Sequence, residues 1–265
     1  MIIYFLLQKY ANILISENIA VNLRNKKRRL SEKTMSCILH IETSTQATSV
    51  AVSQDGSNIF EKVKKEGSSN ASVDLGVFVD EALSFIDSHA IPLDAVAVSC
   101  GPGSYTGLRI GVSMAKGICY AKNVPLLGLD TLKVLSVPVL LYHDELPDEA
   151  LLCPMIDARR MEVYATVYNR ALKEVRATQA DIVDEHTYAA FLEQGPVYFF
   201  GNGAEKCKAK IQHPNAHFID GILPLATMMA PLAEQAIAKQ DFKDVAYFEP
   251  FYLKEFIATT PKKLL

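Results

Sequence analysis

The chain has 265 residues, of which 49% are hydrophobic and 22% charged, a balance that excludes disorder, collagen-like repeats and coiled coils. Its net charge of −3 conceals an asymmetry: residues 1–34 carry seven basic and two acidic groups (+5), leaving 20 basic and 28 acidic groups (−8) on the other 231. An acidic body is a poor unaided holder of a phosphate backbone, because Lys and Arg lead such binding.

Residues 1–34 contain no glycine or proline and include a basic block, Lys26–Arg29. The opening apolar run, Met1–Leu7, is too short to cross a bilayer, which takes about 20 residues. A secretory signal would also place its basic residues first. One reading is a nucleic-acid- or membrane-binding arm. The favoured one is an N-terminal extension, non-native or disordered, with Met35 as the natural start, because a globular pattern begins abruptly there. Cys37–Ile41 then reads as an apolar strand, Thr48–Gln54 as an alternating strand, Asp55-Gly56 as a hairpin turn and Asn58–Val63 as a third strand. Asn70–Ser88 reads as a helix, with Val73, Val77, Phe78, Leu83, Phe85 and Ile86 near period 3.6. Ala95–Ser99 is a buried strand running into Cys100-Gly101-Pro102-Gly103, and a helix follows over Thr106–Tyr120. Val124–Gly128 is a further strand, and Asp130 caps a helix from Thr131.

The second half repeats this order. Leu151–Ile156 is a strand, Asp157–Met161 a turn, Glu162–Tyr168 a strand, and a third strand lies near Leu172–Arg176. Asp184–Gln194 reads as a helix, Val197–Phe200 as a strand ending in Gly201-Asn202-Gly203, and Leu223–Lys239 as a long helix containing Pro231. Each half runs strand–strand–strand–helix–strand. In each the first strand ends in a carboxylate (Glu42, Asp157) and the fourth in Gly-x-Gly. The plan is α/β with two mixed sheets, divided as 36–138 and 139–265, with the 223–239 helix free to pack back on the first half. Two such halves leave a cleft, a usual nucleotide site.

The segment Gly101–Arg109 carries the most chemical potential. A glycine-rich strand-to-helix loop can present amides to an anion, but no Lys follows as in a P-loop, and the spacing is not a dinucleotide fingerprint. Phosphate contact by Gly101, Gly103, Ser104 and Gly107 and a plain tight turn both stay open. Glu42, Thr43 and Ser44, with Asp157 opposite, form a candidate site for a water-bound cation, or else a turn. The helix after the loop has a low-relief surface of Gly107, Gly111, Ser113, Ala115, Gly117 and Ala121 between Leu108, Ile110 and Met114. It packs either on a partner helix or on its own sheet. Asn70 and Asp74 share a helix face but make a poor transition-metal pair, and no metal site is expected. Cys100 reads as an inert thiol, and Arg159 and Arg160 as solvated turn residues. Five scattered cysteines without a C-x-x-C pair point to a reducing cytoplasm.

Several blocks together resemble the TsaB (YeaZ) family: Ile38–Thr45, Leu93–Ser99, Gly101–Gly111, Asp157-Ala158-Arg159 with Glu162-Val163-Tyr164, Gly201-Asn202-Gly203, and Glu249-Pro250 with Tyr252-Leu253. The resemblance implies a duplicated RNase H-like fold of the actin, Hsp70 and sugar-kinase type. It further implies a non-catalytic scaffold or dimerisation subunit in making N6-threonylcarbamoyladenosine at position 37 of tRNA, supporting the catalytic TsaD. TsaE is a further implied partner, with a homodimer where TsaD is absent, tRNA reached indirectly, and no membrane. The glycine loop would then be a reduced nucleotide site, with ATP or ADP and Mg as conceivable occupants of a subunit or domain cleft. Asn70, Asp74, Val77, Phe78, Leu108, Gly111 and Met114 would form the partner interface. Asn70 departs from a histidine common in the family. The competing reading is an independent ATP-dependent phosphotransferase or ATPase of the same fold.

Overall fold

A computed structural model describes residues 36–65 and 71–254; the N-terminal extension and Asn70 lie outside the described residues. The first sheet contains β1 (Cys37–Glu42), β2 (Thr48–Gln54), β3 (Ser57–Lys64), β4 (Ala95–Gly101) and β5 (Leu126–Asp130) in the order β3-β2-β1-β4-β5. β1, β2 and β3 form an antiparallel meander, while β4 and β5 run parallel to β1. Asp55 and Gly56 both take positive φ between β2 and β3, as a two-residue hairpin with right-handed twist requires.

The second sheet repeats the arrangement. It contains β6 (Leu151–Asp157), β7 (Glu162–Tyr168), β8 (Glu174–Ile182), β9 (Val197–Phe200) and β10 (Ala216–Ile219), in the order β10-β9-β6-β7-β8 with the same strand directions. The fold is a duplicated RNase H-like α/β fold with two mixed sheets.

Alternation along β1 sorts its side chains. Cys37, Leu39 and Ile41 face α1 (Ala71–Ser88) and α2 (Tyr105–Lys122), packing with Leu75, Val79, Val112 and Ala115. Ile38 faces the other way, towards α3 (Thr131–Tyr142) and α5 (Ala230–Lys239), where Val134, Leu232 and Ala233 cover it. α3 is buried on every side, as an all-round apolar helix must be. Val134 and Val137 join the core of the first sheet, and Leu132, Leu135 and Val139 join that of the second.

Val73 and Val77 stand on the outer face of α1, 60% and 50% exposed, and the buried stripe is Leu75, Val79, Ala82 and Ile86. Three expectations need correction. The third strand of the second half runs over Glu174–Ile182, because Asn169 Oδ1 accepts from the amides of Ala171 and Lys173 and closes a turn that contains Leu172. The helix expected over 184–194 shrinks to α4 (Ala189–Leu192), since Asp184 and Thr187 bond each other in a turn. The long helix divides into a 3-10 turn, Ala226–Met228, and α5, with Pro231 in the first turn of α5, where its missing N–H costs nothing.

Candidate functional site

Two surfaces stand out, one where β1 and β4 end and one between α1 and α2. At the first, the Thr43–Ser44 loop lies directly on the start of α2. The Ser104 amide donates to Ser44 O at 2.7 Å, and Thr43 Oγ1 donates to Gly107 O at 2.8 Å. A Cβ at Gly103 would stand 2.4 Å from Ser44 O, and one at Gly107 2.0 Å from Thr43 O. Only glycine allows this approach. Ser104 caps α2 by accepting from the Gly107 amide at 3.2 Å, and the Gly101 amide donates to Thr131 Oγ1 at 3.2 Å.

A phosphate brought to this loop would therefore meet two carbonyl oxygens, with the amides of Gly101, Ser104 and Gly107 already bonded within the chain. Those three amides and both carbonyls serve a tightly packed turn. Glu42 is fully buried. Its Oε1 accepts from the Ser44 amide at 2.6 Å and Ser44 Oγ at 2.5 Å, and its Oε2 accepts from Ser99 Oγ. Burial raises the Glu42 pKa against the opposing pull of these hydrogen bonds.

Asp157, expected opposite Glu42, is exposed at the end of β6 and pairs with Lys206. Among the described residues no hydrogen bond or ion pair joins the two carboxylates. The Asp157 amide donates to Asn202 Oδ1 at 3.0 Å, and Gly203 packs on β6, so Gly201-Asn202-Gly203 mirrors the first glycine loop. Burial pushes the Cys100 thiol up to about 12, which leaves no thiolate at neutral pH.

A strap after α5 returns to the first half. The Lys243 amide donates to Leu126 O at 2.8 Å, and Lys116 Nζ donates to the carbonyls of Ala246 (3.1 Å) and Phe248 (3.0 Å). The Phe248 ring fills the space where a Cβ on Gly128 would be. The Phe251 amide donates to Cys100 O at 2.7 Å, Tyr252 lies against Tyr105 with centroids 4.8 Å apart, and Lys254 pairs with Glu162 of β7. The strap has no regular element, and much of its anchoring is to backbone carbonyls and glycines, which no periodic side-chain pattern reveals.

The second surface is an open groove of about 700 Å³ between α1 and α2, lined by Leu83, Arg109, Ile110, Met114 and Gly117 among others. Of the expected interface residues, Met114 lies in it. Val77 is exposed on α1, and Phe78 is half-buried against the core. Asp74 pairs with Lys64 of β3 at 3.0 Å. Leu108 and Gly111 are corrected: both are buried on the inward face of α2, with Gly111 against Thr43 and Val98. Arg109, Ile110 and Gly117 supply the groove instead. Ile110, Met114, Gly117 and Ala121 recur at i, i+4, i+7 and i+11 along α2, a signal that period 3.6 carries.

The sequence profile described as TsaD, tRNA N6-adenosine threonylcarbamoyltransferase, matches residues 63–261. The tRNA threonylcarbamoyladenosine biosynthesis protein TsaB of Escherichia coli is 28% identical over 229 residues, covering 83% of this chain and 96% of the relative. TsaB of Bacillus subtilis is 29% identical over 181 residues, covering 66% and 75%. The structure of YeaZ from Pseudomonas aeruginosa superposes with a TM-score of 0.69 at 24% identity, over 83% of this chain and all of that one. With the profile spanning more than half of the chain and TsaB relatives following it along most of their length, the chain belongs to the TsaD-type threonylcarbamoyltransferase family, on its TsaB (YeaZ) branch.

Proposed function

We propose that this protein is a non-catalytic scaffold subunit in the synthesis of N6-threonylcarbamoyladenosine at position 37 of tRNA. It supports a TsaD-type catalytic partner, and its two halves are 36–138 and 139–265. The observation that carries the reading is the open, largely apolar groove between α1 and α2. Exposed apolar surface flanked by charge marks a protein-docking site, and here it lies on two helices whose other faces are fixed to the sheet. The names of the relatives supply the pathway. The burial of Glu42 and the bonded glycine loop support a role outside catalysis. In this reading the catalytic partner occupies the groove, a second copy takes it when that partner is absent, a TsaE-type ATPase joins the assembly, and the complex works in the cytoplasm with the main grip on tRNA in the partner.

The test is reconstitution with the TsaD-type and TsaE-type subunits on unmodified tRNA. Modification is expected to require this chain. Met114→Glu is expected to abolish co-elution with the catalytic subunit while leaving the melting temperature within about 2 °C, since Met114 is only partly buried. Equal modification without this chain, or robust ATP turnover by the chain alone, overturns the scaffold reading.

A further inference from the structure

The β6–β7 hairpin holds two arginines in a backbone conformation that arginine rarely takes. Arg159 has φ +72° and Arg160 φ +51°, the left-handed region where Gly or Asn is the usual occupant. The surroundings impose it. Lys206 Nζ donates to Arg160 O and Glu162 O, both at 2.7 Å, and pairs with Asp157. Asp157 Oδ1 accepts from the Arg159 amide at 2.9 Å, and the Ala158 amide donates to Glu162 O at 3.0 Å. Strain that a structure over-determines in this way tends to mark a functional position.

Both arginines are exposed, and among the described residues neither guanidinium has a hydrogen-bond or ion-pair partner. The nearby acids are already engaged, Asp157 by Lys206 and Glu162 by Lys254. Two positive charges thus stand unopposed on a body whose net charge after residue 34 is −8.

These charges extend a row. Lys254 reaches Glu162 at the base of the hairpin. Two residues earlier in the strap Tyr252 lies on Tyr105, and Arg109 sits 5.4 Å over the same Tyr105 ring while lining the groove. Cations without an acidic partner among the described residues therefore stand at both ends of this run, Arg109 at the docking groove and Arg159 with Arg160 at the hairpin tip, joined by the strap whose Lys254 is paired with Glu162. A lone phosphate or carboxylate is held by groups that converge on it. A series along an open edge matches the repeated phosphates of a nucleic-acid strand instead.

We propose that the hairpin tip, through Arg159 and Arg160, contacts the phosphate backbone of an RNA held by a partner docked in the α1–α2 groove. The proposal rests on the scaffold reading above and adds to it a direct, secondary tRNA contact by this chain.

Arg159→Asn with Arg160→Gly removes both charges and installs residues suited to positive φ, so folding is preserved or improved. The complex of full-length chain and TsaD-type subunit is titrated with unmodified tRNA between about 50 and 200 mM salt. The double variant is expected to enter the complex like the wild type and melt no lower. It should bind tRNA about tenfold more weakly at the low-salt end, with a log–log salt slope shallower by one to two. Arg159→Glu with Arg160→Glu should weaken binding further, and Lys239→Glu on α5 should not match that loss. Unchanged affinity and slope in the Asn–Gly variant overturns the proposal. So does a loss explained entirely by failure to join the partner. A wild-type chain that never joins the partner counts against the scaffold reading instead. Titration of tRNA with the chain alone, with and without the two arginines, then decides the hairpin, equal binding overturning it.

Discussion

Within α2, two glycines that look alike in sequence have opposite physical meanings. A Cβ on Gly111 would stand 2.3 Å from Thr43 Oγ1, a hydroxyl already committed to Gly107 O, whereas a Cβ on Gly117 meets nothing within 4 Å among the described residues. Gly111→Ala is therefore expected to destabilise by about 1–3 kcal/mol through overpacking. Gly117→Ala should stabilise by up to about 1 kcal/mol, through helix propensity alone. Urea midpoints of the two variants measure both, and shifts of the same sign would contradict the packing described. His40 makes a second residue-scale prediction. It is fully buried on β1 with Nε2 2.7 Å from Ser53 Oγ, its Nδ1 has no partner among the described residues, and burial lowers its pKa from 6.5 to about 3. The folded state thus keeps this ring neutral while the unfolded chain takes a proton below about 6.5. Its contribution is complete above that pH and is lost as pH falls towards 3, by about 1.4 kcal/mol per unit. Glu42 works in the opposite sense, since its raised pKa favours the fold in acid, so the wild-type profile alone does not isolate His40. The stability difference between wild type and His40→Gln does: it should move by about 2 kcal/mol in favour of the variant between pH 7 and pH 5. Parallel profiles would show that the ring is protonated in the fold.

At the scale of elements, what the sequence displayed was periodicity, and what it hid was competition by side chains and by distant chain. The repeated strand order and both Gly-x-Gly turns were legible, because strand alternation and turn residues are local signals. The residues of 184–194 fit a helix, yet Asp184 and Thr187 satisfy each other and nearby amides in a turn. β10 leaves little sequence signal, because Ala216–Ile219 is four residues long and pairs, among the described strands, with β9 alone. The inner face of α2 was visible as a stripe of small residues, yet nothing local says whether such a stripe meets a partner or its own chain. Thr43 and Ser44, some 60 positions earlier, answer that for Gly103, Gly107 and Gly111. The same long-range logic gives Gly101 and Gly128 their identity, since the strap's Phe251 carbonyl and Phe248 ring fill the space of a Cβ at each. The two arginines of the β6–β7 hairpin looked like ordinary solvated turn residues, because sequence does not display the sign of φ.

At the scale of the whole molecule, the two sheets repeat each other but do not stand apart. α3 gives one side to the core of the first sheet and the other to that of the second. α5, which follows all five strands of the second sheet, covers Ile38, Ala97 and Leu127 of the first. The strap then crosses α2 and reaches β7 through Lys254 and Glu162. Each half thus relies on chain contributed by the other, and burial of apolar area is the main stabilising term. A fragment of residues 36–150 would retain the first sheet, α1, α2 and α3 but lose the cover over Ile38, Ala97 and Leu127. It would also expose Leu132, Leu135 and Val139 on the outer side of α3. It is expected to remain unfolded or aggregate. The intact chain should unfold in one heat-absorption transition, with calorimetric and van't Hoff enthalpies in agreement. Differential scanning calorimetry of the full chain and circular dichroism of the fragment measure these directly. Two resolved transitions, or a fragment that melts cooperatively on its own, would mean that the halves are independent and that α5 and the strap are only a covering.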